Sequence, residues 1–191
     1  MRSTICGLWA ALIVSAALFV RPAAADHEES QVPGLGEVIY HEGDVEAFGK
    51  GPDVITLGLG VFDPFKQDPA SGEARLEYRW GQKLLFIGPM VGVMANTDGG
   101  VHGYIGGYFD FRVGNLTVTP SAGPGLWRQG GSKDLGGTFE FHTALDFAYT
   151  FEGGSRLGMK LSHISSAHIN RKNPGSESLT LTYTLPVGNM F

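Results

Sequence analysis

From Val54 onward apolar and polar residues alternate along most of the chain, and clusters of Gly, Pro, Asp, Asn and Ser cut the alternation into short runs. Ala74, Leu76, Tyr78 and Trp80 share one face of an extended chain, while Glu73, Arg75, Glu77 and Arg79 share the other. Further on, Phe139, Phe141, Leu145, Phe147, Tyr149 and Phe151 oppose Glu140, His142 and Asp146. The spacing predicts eight strands, near 54–62, 73–80, 84–95, 101–112, 115–127, 137–151, 155–165 and 177–186. A face of Glu, Arg, His and Asp is too polar for an ordinary core. Lipid against the aromatic face and paired charges in a narrow lumen account for both faces, so the expected fold is all-β, an eight-stranded antiparallel transmembrane barrel of the bacterial outer membrane. The alternative is a soluble sandwich or lipocalin-like barrel with its apolar face inward. Tight connections near 81–83, 112–115 and 152–154 alternate with mostly longer ones near 63–72, 96–100, 128–136 and 166–176, as short periplasmic turns alternate with longer outer loops in such barrels.

The segments outside this pattern set the organisation. Residues 1–25 read as a signal peptide: Arg2 leads an apolar stretch at Leu8–Val20, and Ala23, Ala24 and Ala25 form a small-residue cleavage site. Residues 26–53 carry Glu28, Glu29, Glu37, Glu42, Asp44 and Glu46 without periodicity and are expected to be an irregular, solvated lead-in; residues 54–191 are the barrel. No later segment has the roughly 18 uninterrupted apolar residues of a membrane-spanning helix. The single cysteine, Cys6, lies in the signal, so the mature chain has neither a disulfide nor a thiol nucleophile. The net charge of −5 becomes about −7 when Arg2 and Arg21 leave, which excludes a nucleic-acid footprint. With 29 glycines and only 17% charged residues, the composition suits a β-protein with an apolar surface. Phe191 resembles the terminal aromatic by which the barrel-assembly machinery recognises its clients.

Chemistry concentrates in Ser162–Glu177. His163 and Ser165 are two apart and share parity with Leu157, Met159 and Leu161; Glu177 shares parity with Leu179, Leu181, Tyr183 and Leu185. All three therefore project toward lipid, where ionisable side chains are costly unless they pair. Ser165 as nucleophile, His163 as base and Glu177 as the orienting carboxylate would hydrolyse an ester through an acyl-enzyme. Polar residues tolerated at a strand-to-loop rim are the competing account. With both termini periplasmic, the seventh strand ends and the eighth begins at the outer rim, beside the lipid A of the outer leaflet.

The run H-I-S-S-A followed by N-P-G-S-E resembles the H-x-S-N-A and N-x-G-x-E region of PagL-type lipid A 3-O-deacylases, and a weaker likeness covers about residues 54–187. The resemblance implies an outer-membrane hydrolase that removes the ester-linked acyl chain at position 3 of lipid A, with His163, Ser165 and Glu177 as its triad and no cofactor. Asn173 and Gly175 match the family's loop, where the Asn and nearby backbone donors support the oxyanion. Ser166 stands where the family usually has Asn, which puts that support in question. Arg128, Arg171 and Lys172 fall in expected outer loops and could pair with lipid A phosphates, or be ordinary solvated charge. His168 reads as a loop histidine, and His102 and His142 as members of a hydrogen-bonded lumen network in preference to a metal site. The implied partners are lipopolysaccharide and outer-membrane lipid; a homodimer is left open. The rival reading is a non-catalytic small barrel serving adhesion or membrane integrity.

Overall fold

The computed structural model describes residues 31–65 and 71–188, and within them the chain is all strand. The signal peptide and the terminal Phe191 lie outside the described residues. In order come β1 (Gln31–Val32), β2 (Gly36–Glu42), β3 (Val45–Phe48), β4 (Asp53–Phe62), β5 (Ser71–Arg79), β6 (Gly88–Asn96), β7 (Val101–Tyr108), β8 (Phe111–Val113), β9 (Leu116–Arg128), β10 (Phe139–Thr150), β11 (Arg156–Ser165) and β12 (Ser176–Gly188). Strands β4 to β7 and β9 to β12 pair antiparallel around a ring that β12 closes onto β4 and β7 onto β9. This is the expected eight-stranded barrel. The connections that follow β5, β7 and β10 lie at the mouth where β4 starts; by the short-turn rule that mouth is periplasmic and the other is outer.

The wall is polar inside and apolar outside. Leu57, Leu59, Leu76, Ile105, Phe147, Leu157, Met159 and Leu181 are exposed, whereas Glu73, Arg75, Glu77, Arg79, Asp146 and Lys160 are buried in the lumen. The inward charges bind one another. Glu77 accepts from Arg79 and the Tyr104 hydroxyl, each at 2.7 Å, and pairs with Lys160. Arg75 bridges Glu73 at 2.7 Å, the Ser162 hydroxyl at 2.9 Å and Tyr104 at 3.0 Å, and Thr182 donates to Asp146 at 2.9 Å. Removing such a group from water is offset only by this degree of pairing. His102 and His142 join the lumen differently from expectation. Both are fully buried, but His142 stacks on Tyr104 with centroids 3.9 Å apart, and the ring nitrogens of neither histidine find a hydrogen-bond partner among the described residues.

Apolar residues are buried toward both ends of the barrel. At the outer end Phe62, Met94, Trp127, Leu135 and Ile164 form a buried apolar cluster, with Phe62 stacked on Trp127 at 5.5 Å. At the periplasmic end lie residues 31–53, read as part of an irregular lead-in, and among these described residues most are strand instead. The β2–β3 hairpin pairs through β3 with β8, which in turn pairs with the start of β9. Leu35 and Phe48 are buried, the Arg156 guanidinium donates to the Gly34 carbonyl, and Gly51 N–H donates to the Gly81 carbonyl at 3.0 Å. The sequence reading missed this pairing because β3 and β8 are only four and three residues long and lie far apart in the chain. Two further boundaries differ from the sequence reading. The third expected strand begins at Gly88, since Leu84 and Ile87 exchange backbone hydrogen bonds around Leu85, whose φ is 59°. The fourth is broken at Phe109–Asp110, after which β8 starts.

Candidate active site at the outer rim of β11 and β12

Ile164 fixes the site. It is 1% exposed within the outer apolar cluster, so its neighbours on β11, His163 and Ser165, are aimed at the opposite face of the wall. His163 is paired directly with Glu177 of β12, and Ser165 with Phe141 of β10. The His163 Nδ1 to Glu177 Oε1 distance is 3.3 Å; their side chains are 12% and 34% exposed. Ser165 is 5% exposed. The expected base and carboxylate are thus brought together, and the expected nucleophile is the outward neighbour of the base on the same strand. Looseness of this size is usual in a resting acid–base pair and tightens with substrate bound.

The loop between β11 and β12 returns over the site. Ala167 and His168 adopt positive φ values of 50° and 67°, a left-handed step that turns the chain just after Ser165 and Ser166. Asn173 Oδ1 accepts the Ser166 N–H at 2.9 Å, closing the turn. Ser166 itself is fully buried, and its hydroxyl has no hydrogen-bond partner among the described residues. His168 is exposed, with Nδ1 3.5 Å from Asn173 Nδ2. Gly175 has φ 59°, and a Cβ there would stand 2.8 Å from His163 Cε1 and 3.3 Å from Nε2. Only glycine lets the backbone lie against the imidazole face in this conformation.

Two residues that the sequence reading left out lock this loop. Lys133, from the β9–β10 connection, donates to the Gly175 carbonyl and bridges Asp63 Oδ1 at 3.1 Å. Asp63 also receives the Ser176 hydroxyl at 3.1 Å, and its N–H donates to the Glu177 carbonyl at 2.7 Å. Both residues come from distant connections, so no local spacing marks them.

The cationic candidates are spread around the rim. Arg128 is exposed and lines, with Trp127, Gln129, Asp134, Gly136, Gly137 and Thr138, an open cavity of about 480 Å³ whose Gly136 and Gly137 back onto Lys172 and Asn170 of the site loop. Arg171 is exposed; Lys172, also exposed, reaches Asp134 at 3.5 Å. The Asp134 carboxyl is held below its ordinary range by the Gly136 N–H and by Lys172. Among the described residues no group of three or more His, Cys, Asp or Glu side chains is placed to hold a metal ion.

A model of the family described as lipid A 3-O-deacylase (PagL) matches residues 68–186. Lipid A deacylase PagL of Bordetella bronchiseptica is 35% identical over 52 residues, which are 27% of this chain and 29% of that protein, so the alignment spans under a third of the relative. The crystal structure of the outer membrane enzyme PagL has a TM-score of 0.55 at 17% identity, covering 70% of this chain and 99% of that one. A chain from the de novo design of transmembrane β-barrels has a TM-score of 0.54 at 11% identity, covering 74% and 99%. The two structures share the fold, and the family match spans most of the barrel, including β11, β12 and the loop between them: the chain belongs to the lipid A 3-O-deacylase (PagL) family.

Proposed function

We propose that this protein is an outer-membrane carboxylic ester hydrolase that removes the 3-hydroxyacyl chain at position 3 of lipid A, with Ser165, His163 and Glu177 as its triad. The observation that carries this reading is the His163–Glu177 pair, set at 3.3 Å on the lipid-facing side of the wall, with Ser165 two residues along the same strand and on the same face. A barrel without chemistry at this rim gains nothing from an ionisable pair there, and lipid exposure makes such a pair costly.

In this reading an acyl chain lies along the apolar stripe of β11 and β12 while its ester reaches Ser165. His163 takes the hydroxyl proton as Ser165 Oγ attacks the carbonyl, and Glu177 holds the imidazole and stabilises its charged form. The proton then passes to the sugar oxygen, which leaves, and a water attacks the acyl-serine by the same base. Asn173 accepts the Ser166 N–H, so the loop turn is stiff, and Ser166 in place of the family's usual Asn leaves Asn173 Nδ2 and loop backbone N–H groups as donors to the oxyanion. Gly175 serves by keeping the imidazole face clear of a side chain. Arg128 and Arg171 are the cations best placed for lipid A phosphates; Lys172 contributes less, because Asp134 already matches part of its charge.

The test is incubation of the purified barrel in detergent with lipopolysaccharide, followed by mass spectrometry of lipid A. Loss of one hydroxyacyl chain with wild type and none with Ser165→Ala is the expected result; equal loss with both, or no loss with either, overturns the assignment.

A further inference from the structure

We propose that the outward face of β3 and β8 is a lipid-binding surface, which extends the membrane-facing wall below the barrel proper and rests against phospholipid of the periplasmic leaflet. The register carries it. Val45 pairs with Val113, Val113 with Leu116, Leu116 with Tyr149, Tyr149 with Leu157 and Leu157 with Tyr183. Directly paired residues project to the same side of a sheet, so these six form one row across the wall. The row is uniformly open: Val45 is 40% exposed, Val113 44%, Leu116 46%, Tyr149 50% and Leu157 45%. Its barrel half faces lipid, and nothing in the pairing separates the other half from it.

The adjacent row has the opposite character. Glu46 pairs with Arg112 and Arg112 with Thr117, which is fully buried; the Arg112 guanidinium forms an ion pair with Glu46 and lies 5.7 Å over the Phe48 ring. The hairpin is therefore amphipathic in the same sense as the barrel. The neighbouring β5–β6 turn points to the same medium, since Leu84 and Leu85 are 83% and 76% exposed. In water a row of this kind costs about 25 cal/mol for each Å² of apolar surface, a penalty removed by acyl chains. Continuity with the barrel's own lipid-facing belt selects lipid over a second copy of the chain as the occupant. At its far end the row reaches Glu42, whose carboxylate accepts from the Tyr40 hydroxyl, so the surface stops at β3 and the tip of the hairpin returns to water.

Spin labels on single cysteines in a Cys6→Ser background test this in vesicles of phosphatidylethanolamine and phosphatidylglycerol, with a retained heat-modifiable band as the check on folding. Labels at Val45 and Val113 are expected to be open to oxygen and shielded from a water-soluble nickel chelate, like a label at Leu57 and unlike one at Asp44. Chelate access equal to that at Asp44 overturns the proposal. So does spin–spin broadening at Val45 and Val113, which would put a second copy on the face.

An independent observation concerns Lys133, which we infer to be a positioning residue for the triad; this rests on the hydrolase reading above. Its ammonium ties the Gly175 carbonyl to Asp63, and Gly175 is the residue lying against the His163 ring. Asp63 in turn holds the backbone of Glu177 and the hydroxyl of Ser176. One cation thus sets where the loop meets the imidazole from one side while its partner holds the backbone of Glu177 on the other. Lys133→Met is expected to lower kcat about tenfold with little change in KM, because a loosened base loses alignment more than binding, and Lys133→Arg should restore most of it. Wild-type kcat in Lys133→Met, or failure of rescue by arginine, overturns the role. Ser165→Ala run in parallel separates the two readings: if it keeps activity the hydrolase assignment falls, and if it abolishes activity while Lys133→Met matches wild type only the positioning role falls.

Discussion

Glu77 and Glu177 stand on opposite faces of the same wall, and their surroundings differ in kind. Glu77 is fully buried and held by Arg79, Lys160 and Tyr104, with Arg75 4.0 Å away. Glu177 keeps a third of its side chain exposed and lies 3.3 Å from an imidazole nitrogen. A carboxylate wrapped by fixed cations has one arrangement and contributes to folding. A partly exposed carboxylate 3.3 Å from a histidine is the arrangement that the proposed triad requires.

Substitutions on the two faces should therefore separate activity from stability. The largest effect is expected for Glu177→Ala, a fall in turnover of about a thousandfold, or ~4 kcal/mol of transition-state stabilisation, with the heat-modifiable fold kept. Unfolding in step with that loss would make Glu177 structural and erase the contrast. Glu77→Ala should do the reverse, lowering stability by about 3–5 kcal/mol in guanidinium unfolding, since it strands buried cations, while the remaining folded molecules keep wild-type activity.

Asp110, in the periplasmic bend between β7 and β8, sharpens the point through pH. Burial alone would raise its pKa, but Lys83 and Arg156, each 3.0 Å away, together with Arg79 hold it well below the ordinary carboxylate range. A depressed folded-state value contributes stability that is complete above the unfolded pKa and is lost as pH falls through the folded one. Asp110→Asn should accordingly cost about 1–3 kcal/mol at neutral pH, with the gap to wild type narrowing below roughly pH 4 in thermal unfolding curves. A smaller effect is expected for Gly175→Ala. The new methyl meets the His163 ring at a backbone angle that alanine resists, so kcat should drop about tenfold and Tm should fall by a few degrees.

Much of the barrel was legible because period-two alternation is a property of each strand alone. Ala74 to Arg79 declares its two faces without knowledge of any partner, and the same parity aimed His163 and Ser165 outward. Glu177 pairs with His163 because the two strands run antiparallel from one loop, where register is nearly forced. The remainder depended on contacts between distant segments. Lys133 and Asp63 converge on Gly175 from connections on either side of the barrel. The outer apolar cluster gathers Phe62, Met94, Trp127, Leu135 and Ile164 from five separate elements. Residues 31–48 were missed for a related reason: β3 and β8 are only four and three residues long, too short to declare a period, and the paired Glu46 and Arg112 lie 66 residues apart in the chain.

The central claim is that the outward face holds an activated serine, and a serine-directed fluorophosphonate tests it most directly. Incubated with the folded barrel and mapped by peptide mass spectrometry, the reagent is expected to place one adduct on Ser165, abolished in His163→Ala. An adduct on Ser162 or Ser166 in place of Ser165, or labelling of Ser165 that survives loss of His163, would contradict it.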